Sequence, residues 1–456
     1  MITSRHISYS PDRRGSVIVV VLWAIGISAL IVSSVQLVGY RQKVIGTETL
    51  AKVQSRWAAR GGIEYIIAVM ADHTKNPVPD DAFAMIRDME YVSTSIPGDL
   101  LNASYDIRHH TDGHDRPGPT DEHSKFNINR TPSEQQILIS LYDMTIDVVA
   151  AIIDWLDEDD DPQPFGAERD YYLSLSNPYE PRNGFMRNTA EIELVAGIWP
   201  EYLRGEDWNL NGRLDANEND ADLSWPDDEP DNVLDARWSA YLTASSTQNN
   251  MGLLGLPKIR LGEADLVELQ ERVGVDEVLA QELINFGRNQ NSDMVQLLEA
   301  YAQSQDINSG SNNGTQNPTG GTTVPLLDED QLRAVLAETS INNLALRLPG
   351  KININTVSEQ LLEQIFFENP HFVDEIIFQR NSRKEGITSM VDLVDIPVFQ
   401  EDPDTLSFVA RSMDTTSSVY SITAVGRSAS GGVETEITVV VDRSTLPIRI
   451  LEYREQ

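Results

Sequence analysis

An uninterrupted apolar stretch near the amino terminus constrains the fold more than any other feature. Between Ser16 and Val38 the sequence contains no ionisable side chain. As a helix, this stretch would reach about 35 Å, enough to cross a hydrocarbon core about 30 Å thick. It is longer than the apolar region of a cleaved secretory signal, about 7–15 residues. The sequence therefore predicts one membrane-spanning helix over residues 16–38.

The rest of the chain is acidic and has no thiol. The whole chain of 456 residues carries a formal net charge of −36 and includes no cysteine. Such a charge repels phosphate backbones, which argues against nucleic acid as the main partner, and it suits divalent cations or simply solubility. The absence of cysteine excludes disulfides and thiolate metal sites.

The orientation of the span follows from its short amino end. Basic residues flank both sides, so the charge bias is weak. The amino end is too short to hold a domain, which favours an inside amino terminus and places the bulk of the chain across the membrane.

The periodicity along the chain predicts an α+β fold. A helical pattern continues from the span to about Asp72. Strand-like segments follow at Glu90–Ile96 and Ala103–His109, and strands return after about residue 411. Helical patterns and acidic loops occupy the region between. We therefore expect a long helix packed on an antiparallel sheet, with a large helical domain inserted between its strands.

The helical region contains an internal repeat. The segment from Lys125 resembles the segment from Lys351, and the one from Lys258 is a weaker third copy. Each copy leads into apolar helices, which predicts three helical-hairpin units. Coincidental similarity between helices is the alternative. The segment Ser304–Thr323 has the composition of a flexible linker.

A twelve-residue segment, residues 207–218, matches the EF-hand calcium loop position by position. Gly212 allows the sharp turn at position 6 of such a loop, and Leu214 is the apolar residue at position 8. Calcium needs about six to eight hard oxygen ligands on a flexible loop. The predicted calcium ligands are Asp207, Asn209, Asn211, Arg213 through its backbone carbonyl, Asp215 and Glu218.

Two further acidic segments are more ambiguous. A degenerate second loop begins at Asp227 and has Trp238 where glutamate is needed. It either supports the first loop or holds a weaker ion. The run from Asp154 to Asp161 closes a helix with acidic side chains, which opposes the helix dipole. A cation, Arg169 or solvent could offset that charge.

The sequence offers no catalytic constellation. It lacks a Gly-x-Ser-x-Gly motif, a phosphate-binding loop and a cysteine nucleophile. The segment from Asn353 resembles the helix-hairpin-helix of DNA-uptake receptors, but its turn, Phe367–Phe372, lacks the glycine that exposes phosphate-binding amides. We therefore predict a protein that is not an enzyme and does not bind nucleic acid, with a membrane-anchored DNA receptor as a less favoured alternative.

Four segments together resemble one family, the minor pseudopilin of type II secretion known as general secretion pathway protein K. The first is a possible prepilin peptidase site at Gly15 and Ser16. The others are residues 58–65, the pair formed by residues 154–157 and 166–172, and residues 351–356.

The resemblance implies a pilin-like fold interrupted by a large domain of SAM-like or helix-hairpin-helix-like units, with bound calcium. It also implies cleavage after Gly15 and methylation of the new Ser16 amine. The implied domains are a leader (1–15), an N-terminal helix (16–73), pilin-like strands (74–124), an inserted helical domain (125–410) and C-terminal pilin-like strands (411–456).

The resemblance further implies a subunit that initiates and caps the secretion pseudopilus. Pilins usually carry glutamate at the fifth mature position, whereas this chain has Val20 there. A tip subunit has no neighbour above it to pair with that glutamate, and an unpaired carboxylate is costly in lipid.

The implied partners are the other minor pseudopilins, the major pseudopilin, the inner-membrane secretion platform and prepilin peptidase. The implied location is the bacterial inner membrane, with the bulk in the periplasm. A tip subunit of a type IV pilus is the alternative.

Overall fold

The computed structural model describes residues 14–94, 100, 102–308, 324–430 and 432–456. Residues 1–13 of the predicted leader and residues 309–323 of the predicted linker lie outside the described part. The helices are α1 (Arg14–Lys75), α2 (Ala84–Val92), α3 (Thr131–Ser140), α4 (Ile146–Leu156), α5 (Arg169–Leu173), α6 (Pro200–Arg204), α7 (Leu266–Val273), α8 (Glu277–Arg288), α9 (Met294–Asn308), α10 (Glu329–Glu338), α11 (Glu359–Ile365), α12 (His371–Ser382), α13 (Pro397–Glu401) and α14 (Pro403–Ser412). The strands are β1 (Ala103–Thr111), β2 (His114–Pro117), β3 (Thr120–Asp121), β4 (Phe126–Asn127), β5 (Leu242–Thr243), β6 (Ile259–Arg260), β7 (Thr339–Ser340), β8 (Ile352–Asn353), β9 (Met413–Asp414), β10 (Val419–Ser428), β11 (Glu434–Asp442) and β12 (Arg449–Glu455).

The first helix has two halves with different surroundings. Its first half is apolar and exposed, with a mean hydropathy of 2.6 in its most apolar window, so by length and composition it could cross a membrane. Its second half buries one face, which includes Ile63, Ile66 and Met70. These residues recur at helical spacing, and they pack against the sheet.

The sheet is antiparallel, with the order β12-β11-β10-β1-β2, and β3 pairs with β10. One face packs on α1 through apolar residues that include Ile107, Ile422 and Val439. The predicted α+β architecture, a long helix on an antiparallel sheet with an inserted helical domain, is therefore confirmed.

The predicted strand at Glu90–Ile96 is wrong in its first part, because Glu90 to Val92 form the last turn of α2. Met85 and Met89 lie one helical turn apart and are both buried, so the apolar spacing of the segment is satisfied by a helix. Residues 95 and 96 lie outside the described part.

Two glycines let α1 approach the sheet closely. A Cβ added at Gly426 of β10 would lie 1.9 Å from the carbonyl oxygen of Ser55 in α1. A Cβ added at Gly62 of α1 would lie 2.5 Å from the ring of Tyr105 in β1. Since neither position has room for a side chain, the two glycines fix the distance between helix and sheet.

The helical region leaves the sheet after β3 and returns at β10, two strands that are hydrogen-bonded neighbours. Asp121, Glu122 and His123 hold this crossing. The Asp121 carboxylate accepts a hydrogen bond from Thr356 Oγ1 at 2.6 Å, and the His123 Nδ1–H donates to the Lys351 carbonyl at 2.8 Å. We call these three side chains the junction.

The internal repeat has a structural counterpart. Each copy begins with a short strand that pairs in parallel with a strand near the end of the same unit: β4 with β5, β6 with β7, and β8 with β9. In the first and third copies, Asn129 and Asn355 each exchange two hydrogen bonds with a distant backbone residue, Met186 and Ile387 respectively. The repeated sequence thus closes each helical unit.

Gly62→Ala is expected to destabilise the fold by about 1–3 kcal/mol, because the new methyl group overlaps the Tyr105 ring. Gly61→Ala is the matched control, since nothing lies within 4 Å of its Cβ position. Alanine is also the better helix former by about 1 kcal/mol, so the control should be neutral or stabilising. Denaturant unfolding of both variants measures the difference, and equal stabilities would contradict the close packing.

Candidate functional site

Three carboxylates meet at the end of α4. Asp154 lies in the last turn of this helix, Asp157 follows it directly, and Glu168 directly precedes α5. One carboxylate oxygen from each residue lies within 4.8 Å of the other two. We call these three residues the acidic cluster.

The surrounding chain holds the acidic cluster in place. The Gln163 N–H donates to Asp154 Oδ1 at 3.0 Å. A Cβ added at Gly166 would lie 2.0 Å from Asp154 Oδ2, so only glycine lets the loop fold over this carboxylate. Behind it, the rings of Trp155 and Tyr172 pack edge to face with centroids 5.3 Å apart.

Several oxygens of the acidic cluster are buried without a hydrogen-bond partner among the described residues. They are Asp154 Oδ2, Asp157 Oδ1 and both carboxylate oxygens of Glu168. Asn183, whose amide donates to the Asp159 carbonyl at 2.9 Å in the same loop, adds another such oxygen. Buried polar atoms are normally paired, so this group of oxygens points to a missing positive partner.

Arg169 does not supply that partner. Its guanidinium lies 2.6 Å from Glu180 Oε1 and is about half exposed, so it forms a surface ion pair away from the cluster oxygens. Burial, followed by the charges of Asp154 and Asp157, raises the pKa of Glu168 to about 7. Burial also raises the pKa of Asp154. The arrangement suits a divalent cation with hard oxygen ligands, such as calcium.

The EF-hand-like loop also brings predicted ligands together, but its carboxylates, unlike those of the acidic cluster, are hydrogen-bonded. Asp207, Asn211 and Glu218 are buried. The loop's own amides use the carboxylates: Asp207 Oδ2 accepts from the Gly212 N–H at 3.0 Å, and Glu218 Oε2 accepts from the Asp215 N–H at 3.1 Å. Calcium ligation by this loop therefore stays a prediction.

The degenerate second loop is held by hydrogen bonds to a carboxylate that precedes the first loop. The Glu206 carboxylate accepts the N–H groups of Glu229 and Asp235 at 2.8 and 2.9 Å. Trp238, at the position where the motif needs glutamate, is buried and donates to the Tyr142 carbonyl at 2.9 Å. These bonds favour the scaffolding interpretation over a second ion in this loop.

The repeated lysines point inward. Lys125, Lys258 and Lys351 donate to the carbonyls of Ser239, Leu336 and Ala410 at 2.7, 3.2 and 2.6 Å. Burial lowers the pKa of Lys258 and of Lys351. Lysines used in this way do not present their charge to a phosphate backbone.

The acidic run after Asp154 is evident in the sequence, but spacing alone does not identify Glu168 as its companion. The usable signal was the segment from Gly166 to Tyr172, which stood out as a family signature. Its glycine admits the Asp154 carboxylate, and its glutamate completes the acidic cluster.

Comparison with known proteins identifies the region that carries the acidic cluster. Residues 124–205 match the family described as "Type II secretion system (T2SS), protein K". Because they are similar to that family, we call residues 124–205 the protein K region. The acidic cluster therefore lies inside the protein K region, whereas the EF-hand-like loop follows it directly in sequence.

One relative extends the sequence similarity beyond this region. A "Type II secretion system protein K" of Pectobacterium carotovorum subsp. carotovorum is 28% identical over 216 residues, which cover 42% of this chain and 60% of that relative. A solved structure titled as the GspK-GspI-GspJ complex from the enterotoxigenic Escherichia coli Type 2 Secretion System has a chain that is 12% identical, with a TM-score of 0.45. The alignment covers 91% of this chain and 99% of that one.

In chelator, the free energy of unfolding is expected to fall as the pH rises from about 4.5 to about 7. The raised pKa of Glu168 means that the folded chain keeps a proton that the unfolded chain releases in this interval. The contribution is fully present below about pH 4.5 and is lost as the pH passes about 7. The difference between wild type and Glu168→Gln, from denaturant unfolding at each pH, isolates this residue, and a difference independent of pH would contradict the assignment.

Glu168→Gln is expected to reduce the stabilisation that calcium gives the wild-type chain over chelator, because it removes one anionic ligand from the acidic cluster. Glu158→Gln is the matched control, since Glu158 is exposed in the same loop. Thermal unfolding with calcium and with chelator measures both. An equal calcium response in the two variants would remove Glu168 from the site.

Proposed function

We propose that this chain is a minor pseudopilin at the tip of the type II secretion pseudopilus, where it initiates and caps assembly for protein export across the outer membrane. The observation that carries the proposal is the match of residues 124–205 to the protein K family. This match favours secretion over a type IV pilus and over a DNA receptor. In this role the chain is a structural subunit rather than an enzyme.

The first helix suits the anchoring part of this role. Its apolar half has the length and composition to cross a membrane, and its side chains from Val17 to Val38 are exposed. We infer an inner-membrane anchor with the bulk of the chain in the periplasm. Prepilin peptidase would remove the leader after Gly15, and the new Ser16 amine would be methylated. Val20 is compatible with a topmost subunit because it leaves no buried carboxylate in need of a partner.

The inserted helical domain suits the tip. It holds a core of its own, which includes Phe126, Trp155, Phe286 and Phe399. A second folded body of this kind beside the sheet is difficult to stack inside a filament but can be accommodated at its end. The proposed partners are the other minor pseudopilins, the major pseudopilin below them and the inner-membrane secretion platform.

We also propose calcium as the ion of the acidic cluster. Asp154, Asp157 and Glu168 would hold it, since their unpaired oxygens fit a hard divalent cation. When bound, calcium supplies positive charge that replaces missing hydrogen-bond donors and links the end of α4 to the start of α5. Its role here is structural.

Full-length protein extracted from membranes is expected to lack residues 1–15. Mass spectrometry of the intact chain measures this, and Gly15→Val should leave the leader attached because the small residue before the cut is lost. Gly26→Ala is the control, as nothing lies within 4 Å of its Cβ position. An uncut Met1 terminus in the wild-type chain would contradict the pseudopilin role.

The full chain in detergent is expected to co-purify with the other minor pseudopilins of a type II secretion system. The sheet and the helical domain should both stay folded in the complex, which circular dichroism and limited proteolysis of the eluted material can check. Co-purification with type IV pilus subunits instead would favour the alternative filament. Binding to neither set would contradict the proposed assembly.

A further inference from the structure

The EF-hand-like loop, residues 207–218, lies on the sheet. Ile422 and Ala424 of β10 pack towards α1. Because side chains alternate along a strand, Thr423 between them faces the opposite side of the sheet. Thr423 Oγ1 donates to the Asn211 carbonyl at 3.0 Å. A loop of the inserted helical region therefore docks on the sheet face away from α1.

The docking uses consecutive backbone carbonyls of the loop and reaches three strands. Their partners come from β12, β10 and β1. The bonds run from Arg454 Nη1 to Asn209 O at 2.8 Å, from Arg454 Nη2 to Leu210 O at 3.0 Å, from Thr423 Oγ1 to Asn211 O at 3.0 Å, and from the His110 N–H to Gly212 O at 2.8 Å. The carbonyl that an EF-hand gives to its ion, at position 7, is not among these four.

The side chains of Asn209 and Asn211 converge on a carboxylate of the same loop. Asp215 Oδ2 accepts hydrogen bonds from the side-chain amides of Asn209 and Asn211 at 2.8 and 3.0 Å. Three side chains that an EF-hand uses as ligands, at positions 3, 5 and 9, are thus already in contact with one another. If each of these two side-chain amides rotated by half a turn, its oxygen would lie where its nitrogen now lies.

The acidic side chains around the loop outnumber their cationic partners. Asp207 and Glu218 are buried, and Glu436 of β11 adds a carboxylate that accepts from the Asn211 amide at 3.2 Å. Arg454 donates to carbonyls of the loop, and Arg213 lies 3.7 Å from Asp106 on β1. A divalent cation would neutralise this concentration of negative charge.

We propose that calcium binds within residues 207–218 and that its binding clamps the inserted helical region onto the sheet. The motif supplies the ligands in the required order, and Asn209 and Asn211 supply both a ligand side chain and a docking carbonyl. Fixing their side chains on the ion therefore fixes the backbone that meets the strands. This inference rests neither on the secretion role nor on the acidic cluster.

Calcium titration of the full chain in detergent, followed by calorimetry, tests the site. Glu218→Gln is expected to weaken one class of binding by about tenfold or more, because it removes the bidentate ligand at position 12. Glu168→Gln should leave that class unchanged, which separates the loop from the acidic cluster. If Glu218→Gln binds calcium as the wild type does, the loop is not a calcium site.

Thermodynamic reciprocity tests the clamp. If calcium strengthens docking, then weakening docking must weaken calcium binding by the same factor. Thr423→Val removes the bond to the Asn211 carbonyl without changing charge, and we expect about a fivefold loss of calcium affinity. Thr438→Val is the control, since the Thr438 Oγ1 on the neighbouring strand lies 3.3 Å from the Thr423 Oγ1, and this substitution leaves the bond from Thr423 to the Asn211 carbonyl in place.

Hydrogen exchange supplies an independent measure of docking. The His110 N–H donates to the Gly212 carbonyl, so its exchange should slow at least about tenfold when calcium is added to the wild-type chain. The same slowing should be absent in Glu218→Gln. Unchanged calcium affinity in Thr423→Val together with unchanged exchange at His110 would show an ion bound without a clamp, and would overturn the proposal.

Discussion

The architecture depends on the junction, three consecutive side chains that hold the place where the chain leaves the sheet and returns to it. Asp121 bonds to the third repeat and, through Ser417, to the segment that leads into β10. Glu122 bonds to Thr243 in the first repeat and to Ser421 in β10. A large helical region can therefore be inserted between two neighbouring strands without separating them.

Buried carboxylates have two different kinds of surroundings in this chain. Beside the degenerate loop, each oxygen of the Glu206 carboxylate accepts a backbone N–H of that loop. In the acidic cluster, the two oxygens of Glu168 are buried without a hydrogen bond of normal geometry among the described residues, and two further carboxylates lie beside them. A carboxylate surrounded by amides needs no ion, whereas one surrounded by other carboxylates does. This contrast separates a supporting loop from a candidate metal centre.

Much of the fold could be predicted from local sequence pattern. The apolar stretch and its helical continuation predicted α1, and strand-like segments after about residue 411 predicted the returning strands, because these signals depend only on neighbouring residues. The strand at Glu90–Ile96 was partly wrong because its short apolar pattern also fits a helix. The candidate site was harder to predict from the sequence. Glu168 meets Asp154 only in the tertiary structure, and residue spacing does not indicate the ion pair of Arg169 with Glu180. The docking of the loop at Asn211 on Thr423 joins residues far apart in the chain, so no local pattern could indicate it.

The closure of each repeat by its own parallel strand pair has a consequence for how such a chain can change in evolution. Between β4 and β5 the first unit contains the EF-hand-like loop, and between β6 and β7 the second contains the Gly- and Asn-rich segment. The third unit, closed by β8 and β9, is compact. Because the two ends of a unit are tied to each other, extra residues between them do not displace the neighbouring units. Insertions, deletions or an engineered tag should therefore be tolerated in the Gly- and Asn-rich segment of the second unit, but not near the junction or within the EF-hand-like loop, whose backbone is bonded to the sheet.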